Sequence, residues 1–379
     1  MGASEEKAWI KQYASWTDPH PAIGNDTLVS WFNQVVATQP KSTATWFMGK
    51  ELTYAQLNGQ VGRAAAALTS LGVRAGDRVA LALPNCPQHI VAMTAILRLG
   101  AVVVEHNPLY TAYELEHQFN DHGAKLAIVF DVRADTFTDL IGTTPLEQVV
   151  SVNMTEEMPF ALRTALKIPV PPLAKKRAQL TKDAPGTLPW RKFMQLSSKT
   201  VHFPPISQAD TAVILYTSGT SGKPKGAPLT HGNIVSVIRA GLEWLEDWGA
   251  VREKVLGVLP LFHIYGLALN YTLPLTIGAQ MVLVPAPQPE LYQAAITKTR
   301  PTVLPGVPTL YDKIIDWAEK TKADLSSIHT SISGASTLPA PTIERWEQVT
   351  GGRLIEGYGL TETAPILVGN PLDLSLIHI

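Results

Sequence analysis

The feature that most restricts the fold is an alternation of helical and strand patterns between Tyr54 and Phe130. Residues 54–71 carry a helical pattern rich in alanine and closed by Gly72. Residues 78–83 are a short apolar strand pattern. A second helical pattern over 88–99 ends at Gly100 and leads into a strand at 101–104. A third helix over 113–122 stops at Gly123, before a strand at 126–130. Repeated strand–helix order of this kind points to parallel strands with helices on both faces. The expected class is α/β, with two parallel-rich sheets flanked by helices.

The alternation breaks down between about 155 and 205. Prolines stand at 159, 169, 171, 172, 185, 189, 204 and 205. Arg163, Lys167, Lys175, Lys176, Arg177, Lys182, Arg191, Lys192 and Lys199 face only Asp183 after Glu157. Two readings stay open for this basic stretch: peripheral contact of 160–203 with an anionic membrane surface, or a solvated insertion between two sheets. The strand–helix order resumes after Asp210. The expected organisation is a lead-in at 1–50, a first α/β subdomain at 51–154 and the Pro-rich basic insertion at 155–205. A second α/β subdomain at 206–370 would carry the nucleotide site, followed by a tail at 371–379. From 255 to 289 there is no Asp, Glu, Lys or Arg, but Pro260, His263, Gly266, Pro274 and Gly278 interrupt the run. Buried strand–helix–strand is therefore expected there rather than a membrane span.

Composition narrows the class further. With 379 residues, 45% hydrophobic and 17% charged, the chain is globular and large enough for a deep core. A net charge of −1 leaves no footprint for nucleic acid. Cys86 is the single cysteine, which excludes an internal disulfide and a cysteine-rich metal site. Its neighbours Pro84, Asn85 and Pro87 predict a strand-to-helix turn, with Cys86 a small packed residue rather than a nucleophile. The N-terminus lacks a signal-peptide layout, and Glu6 stands where myristoylation wants Ser or Thr. These absences point to the cytoplasm, with the inner membrane surface as the alternative placement if the basic stretch docks there.

The chemistry is concentrated in the run Tyr216-Thr217-Ser218-Gly219-Thr220-Ser221-Gly222-Lys223-Pro224-Lys225-Gly226. Three glycines free the backbone to turn N–H groups toward an anion, and four hydroxyls add close donors. A strand pattern at 212–215 precedes it. Two readings stand for this run: a phosphate-holding loop of a kind distinct from the common one, or an ordinary Gly/Ser turn. Gly219 and Gly222 are separated by two residues, and Lys223 is followed by Pro224, which keeps that lysine from opening a helix. Lys223 and Lys225 are either phosphate contacts or solvated loop cations.

Three further small-residue loops follow strand patterns. Leu259-Pro-Leu-Phe-His263-Ile-Tyr-Gly266 carries a histidine between aromatics, which either orients substrate or sits in the core. Ser331-Ile-Ser-Gly334-Ala335-Ser336 would admit a flat ring at close range. Glu356-Gly-Tyr358-Gly-Leu-Thr361-Glu362-Thr363 is glycine-rich and carries a carboxylate suited to Mg²⁺, with the Thr217 hydroxyl beside it. In open α/β sheets ligands collect at the carboxyl ends of strands, so four such loops point to one shared site.

On these residues the chain resembles the adenylate-forming superfamily of acyl-CoA synthetases, luciferase-like enzymes and peptide-synthetase adenylation domains. The likeness spans nearly the whole chain, from about 54 to 370. Its acyl-CoA synthetase branch, and bacterial long-chain fatty-acid–CoA ligases in particular, are most similar. The resemblance implies that ATP phosphates lie along Thr217, Ser218, Gly219, Thr220, Ser221, Gly222 and Lys225. It implies that Tyr358 stacks on adenine beside Gly334, Ala335 and Ser336, within the Glu356, Gly357 and Gly359 backbone. Thr361 would touch the α-phosphate, Thr217 and Glu362 would hold Mg²⁺, and His263 would line the acyl carboxylate site. His263, Thr361 and Glu362 are thus the implied catalytic set. The implied reaction forms acyl-AMP and pyrophosphate, after which the CoA thiol displaces AMP.

A fatty acid is the implied substrate. Residues 255–289 offer no carboxylate to pair with an amino acid's ammonium, and Gly359 replaces the tryptophan that closes the pocket of acetate-activating members. An acyl-AMP ligase loading a carrier protein and a non-catalytic nucleotide-binding protein remain as alternatives. Oligomeric state and chain length are not readable. Leu374 to Ile379 depart from the way the family continues after Pro371. A truncated reading frame with a non-native tail at 371–379 is expected, leaving a fragment of impaired activity.

Overall fold

The computed structural model describes residues 10, 13, 15–196, 201–217, 223–245 and 252–370. In chain order its strands are β1 (Thr43–Phe47), β2 (Lys50–Thr53), β3 (Arg78–Ala82), β4 (Val102–Glu105) and β5 (Leu126–Phe130). There follow β6 (Gln148–Val152), β7 (Leu188–Pro189), β8 (Thr211–Thr217), β9 (Lys225–Thr230) and β10 (Lys254–Gly257). The last are β11 (Gln280–Leu283), β12 (Val303–Gly306), β13 (Thr330–Ser333), β14 (Arg353–Gly359) and β15 (Ile366–Gly369). They form a seven-stranded sheet, β7-β6-β5-β3-β4-β8-β9, and an eight-stranded sheet, β15-β14-β13-β12-β10-β11-β1-β2. Pairing is parallel in both except at β8–β9, β1–β2 and β14–β15.

Local sequence sets the element ends. The helix Tyr54–Ser70 starts at a capping box in which Thr53 and Gln56 satisfy each other's backbone N–H groups. Thr111 with Glu114 and Thr230 with Asn233 do the same for Ala112–His122 and His231–Trp244. Gly123 closes the former helix at φ 66°, a left-handed conformation that glycine adopts without a Cβ penalty.

The two sheets face each other across one core. Along β3, Val79 and Leu81 point into it, whereas Ala80 and Ala82 pack beneath outer residues such as Leu115, Phe119 and Phe137. The eight-stranded sheet contributes Phe47, Met281, Leu283, Ile332 and Ile355 from the other side. The helix Pro87–Arg98 lies in this shared core, and eleven of its twelve residues are buried. A helix buried on nearly all faces belongs in such a layer. The uncharged run folds as anticipated: β10, a helical segment at 264–277 with a π-helical middle at Leu267–Thr272, then β11. No helix among the described residues is long and apolar enough to cross a membrane.

Strand pairing runs across the expected subdomain boundaries. β1 and β2 start within the expected lead-in, yet they complete the eight-stranded sheet. β8 and β9 fall in the expected second subdomain, yet they extend the seven-stranded sheet through β4. The chain exchanges strands between sheets because their apolar faces share one core, and sequence order does not decide which edge a strand joins. The insertion is likewise divided. Trp190 and Phe193 are buried and β7 pairs with β6, whereas the helices Phe160–Ala165 and Pro171–Leu180 have no buried residue. The tail at 371–379 lies outside the described residues.

Candidate functional site

Because β10, β12, β13 and β14 are parallel, the loops after Gly257, Gly306, Ser333 and Gly359 leave the same edge of the eight-stranded sheet. Side chains tie them to one another. The Tyr265 hydroxyl donates to the Ile332 carbonyl at 2.7 Å and lies 3.3 Å from that of Gly306. Its ring backs onto Gly334, where a Cβ would stand 3.2 Å from both the ring and the Gly357 carbonyl oxygen. The Glu356 carboxylate accepts the N–H of Leu338 at 2.9 Å and so fastens the 334–338 loop to β14. Gly334 is buried beneath this arrangement, and Ala335 and Ser336 face solvent, Ala335 at φ 69°.

At the end of β14, Tyr358 is 59% exposed, its ring open to solvent along one face of the strand. Thr361–Thr363 forms a tight turn closed by Thr363, whose hydroxyl accepts the Leu360 N–H at 2.9 Å. Glu362 is exposed, and its carboxylate has no partner among the described residues. One unpaired carboxylate on a rigid turn fits Mg²⁺, which takes one or two carboxylates and fills its other positions with water and phosphate oxygens. Thr361 is half-buried on the same turn.

The phosphate-loop run belongs to the other sheet. It joins β8 to β9, with Thr217 paired to Lys225 and Tyr216 to Gly226. Ser218, Gly219, Thr220, Ser221 and Gly222 lie outside the described residues. The helix 112–122 braces the hairpin below. Tyr216 donates to Asp121 at 2.6 Å, and His117 bonds the Pro224 carbonyl at 3.2 Å. Burial, with the neighbouring Asp121 carboxylate, holds the Tyr216 hydroxyl far above its ordinary pKa. Its ring stacks on His106, whose pKa burial pushes down to about 4. β9 packs directly against the Thr361–Thr363 turn. The two motifs singled out in the sequence, one from each sheet, therefore meet in space.

His263 is not a core histidine. It is exposed at the start of the 264–266 turn, and the protein around it lowers its pKa by partial desolvation. Cys86 is fully buried at the N-cap of the helix Pro87–Arg98, and burial pushes its thiol up to about 12, in keeping with a packed residue. Gly359 has a second reason to be glycine. A Cβ there would lie 1.6 Å from the Pro365 carbonyl oxygen, because β15 folds back against β14. A tryptophan substitution would therefore disrupt the hairpin and cannot act on pocket size alone.

Three residues that hold the site were not legible as such. Asn85 read as a turn residue and Tyr265 as an aromatic neighbour of His263, and Asp121 carried no reading beyond its place in a helix. Each has its partner far away in the chain.

Two parallel-rich sheets with small-residue loops at the carboxyl ends of their strands define a class of α/β fold that collects ligands at that edge. The AMP-binding enzyme family model matches residues 32–376, and the chain belongs to that family. It is 34% identical over 368 residues to a long-chain-fatty-acid–CoA ligase of Bacillus subtilis (strain 168), covering 96% of this chain and 65% of that protein. It is also 34% identical over 381 residues to the enzyme of that name from Escherichia coli O6:H1, with coverage of 97% and 66%. The chain thus spans about two thirds of the length of these relatives. Among solved structures, an anthranilate CoA ligase in complex with anthranoyl-AMP superposes with a TM-score of 0.77 at 23% identity, over 92% of this chain and 62% of that one.

Proposed function

We propose that this chain carries the nucleotide and acyl sites of a fatty-acid–CoA ligase. ATP and a fatty acid would form acyl-AMP and pyrophosphate, and CoA would then take the acyl group as a thioester. The observation that carries this reading is the packing of β9 against the Thr361–Thr363 turn. It supports a site in which Thr217 and Lys225 from one side, and Thr361 and Glu362 from the other, would reach one nucleotide. Tyr358 offers an exposed ring for adenine, and the 334–336 loop lies along the same sheet edge. Positioned donors and a cation would stabilise the charge that builds on phosphate oxygens as the carboxylate attacks. Thr217 and Glu362 would hold Mg²⁺, whose role is to neutralise that charge. His263, exposed and favouring its neutral form, would line the acyl carboxylate.

A fatty acid is favoured over an amino acid because 255–289 has no side-chain carboxylate to pair with an ammonium. CoA as acceptor is supported by the names of the relatives. Binding of ATP is tested by calorimetry with and without Mg²⁺. Binding that ignores Mg²⁺, or that is unchanged in Glu362→Ala, overturns the site. Pyrophosphate release driven by amino acids and not by fatty acids overturns the acid class.

A second reading concerns placement. Phe160 is 75% exposed, Ile168 48% and Val170 41%, on helices and a linker that also carry Arg163, Lys167, Lys175 and Lys176. Apolar side chains amid cations fit an anionic bilayer surface, where a fatty acid substrate also partitions. Co-sedimentation with anionic vesicles tests this, and equal binding to neutral vesicles would overturn it.

A further inference from the structure

We infer that Asn85 is the positioning residue for His263: from the seven-stranded sheet its carboxamide grips the backbone of the 257–261 loop and so sets where His263 meets the acyl substrate. The role of His263 in this inference rests on the function proposed above.

Asn85 lies in the loop between β3 and the helix Pro87–Arg98, and its side chain is buried. Its amide nitrogen donates to the Gly257 carbonyl at 2.9 Å and to the Leu259 carbonyl at 2.8 Å. Its amide oxygen accepts the Leu261 N–H at 2.9 Å. All three partners are backbone groups of one loop on the opposite sheet. Two acceptors facing one end and a donor facing the other fix the amide's orientation without ambiguity. Asn270, from the π-helical segment, donates to the same Leu259 carbonyl at 2.9 Å.

The grip reaches His263 through a short, stiff stretch of chain. The His263 N–H bonds back to the Pro260 carbonyl at 3.2 Å. Gly266 lies so close beneath that a Cβ there would stand 2.0 Å from the Pro260 carbonyl oxygen. Beyond it, Tyr265 is anchored to Ile332. The segment from Gly257 to Gly266 is thus pinned by Asn85 at its start and Tyr265 at its end. Releasing the Asn85 end moves the backbone that carries the imidazole.

The test compares Asn85→Ala with Gln88→Leu. Gln88 is also buried near the start of the same helix, but it bonds Asn153 and not the loop. Two readouts are used. The His263 imidazole is titrated by NMR, its signal assigned by its loss in His263→Ala. Asn85→Ala is expected to raise the His263 pKa toward the ordinary imidazole value, with Gln88→Leu leaving it in place. In fatty-acid-dependent pyrophosphate exchange, Asn85→Ala should raise the KM for fatty acid about tenfold with the KM for ATP unchanged. It should add nothing in a His263→Ala background.

Should Asn85→Ala not fold, Asn85→Asp keeps the acceptor for Leu261 and regains one donor when protonated. Its KM defect should shrink as pH falls. An unaltered His263 titration, or effects of the two variants that simply multiply, overturns the inference. A shifted His263 titration in Asn85→Ala, together with wild-type pyrophosphate exchange that does not depend on fatty acid, leaves the positioning in place and refutes the functional reading.

Discussion

The Tyr265 hydroxyl donates to the Ile332 carbonyl oxygen at 2.7 Å, joining the histidine loop to the end of β13. The bond is partly buried, so deleting the hydroxyl leaves a carbonyl short of one donor, although Tyr311 also donates to it at 2.7 Å. Tyr265→Phe should lower stability by about 1 kcal/mol. Chemical denaturation measures this, and a midpoint equal to wild type would show that the bond is not formed.

Glu356 holds the 334–338 loop through the Leu338 N–H. Glu356→Ala should weaken ATP binding roughly tenfold, the upper range for loss of a charge-assisted hydrogen bond being about 3 kcal/mol. Glu356→Gln keeps an acceptor at the same reach and should lose much less. Calorimetry on both variants decides the matter; equal losses would mean that the negative charge matters and the brace does not.

Gly359→Ala is expected to open the β14–β15 pairing, because the added Cβ would lie 1.6 Å from the Pro365 carbonyl oxygen. Amide exchange at Tyr358 and Ile366 should accelerate, and ATP binding should fall in parallel. Gly359→Trp should show the same general loss rather than a shift to shorter acids. A clean change in acid preference with full stability would contradict this.

Acid should destabilise the fold from just below neutrality. Burial lowers His106 and His231 to about 4 and His122 to about 2, so the unfolded chain binds protons that the folded chain refuses. Their contribution is complete above the ordinary imidazole value of 6.5 and is lost as pH falls toward the folded values. Each group contributes a slope of about 1.4 kcal/mol per pH unit within its window. Asp131 opposes this below about 6, because its carboxyl is raised by burial and the folded state then holds the extra proton. The histidines, joined by the lowered His263, enter their window just below 6.5, with Glu105 and Glu156, also raised by burial, acting in the same sense as Asp131. Denaturation midpoints should start to fall there, and His106→Gln should flatten the slope. A midpoint constant from pH 7 to 5 would exclude buried neutral histidines.

Lys175→Glu with Lys176→Glu, or Phe160→Ser alone, should reduce co-sedimentation with anionic vesicles several-fold and leave ATP binding unchanged. Salt should weaken the wild-type interaction, as screening at surface charges requires. Retention of full vesicle binding by both variants would place the contact elsewhere.

Most local structure was legible in the sequence. The capping partners Thr53 and Gln56, Thr111 and Glu114, and Thr230 and Asn233 lie three residues apart and start helices wherever the chain places them. Gly123 ends one in the conformation that its missing side chain permits. That the run after β8 and the turn at 361–363 serve one site is an expectation of motif chemistry, and the hairpin of β8 and β9 is not readable from it.

By itself the sequence determined the helices and strands, the glycine-rich runs and the absence of charge from 255 to 289, because these depend on neighbours within a few positions. Only the tertiary structure decided that β1 and β2 join the late strands and that β8 and β9 join the early ones. It also made Asn85 a brace, since its partners at Gly257 and Leu259 lie 172 and 174 residues away. A carboxamide in a turn looks the same in sequence whether it faces water or a carbonyl. What distinguishes the two is burial between sheets, where an unmade hydrogen bond is costly and the fold must supply the partner.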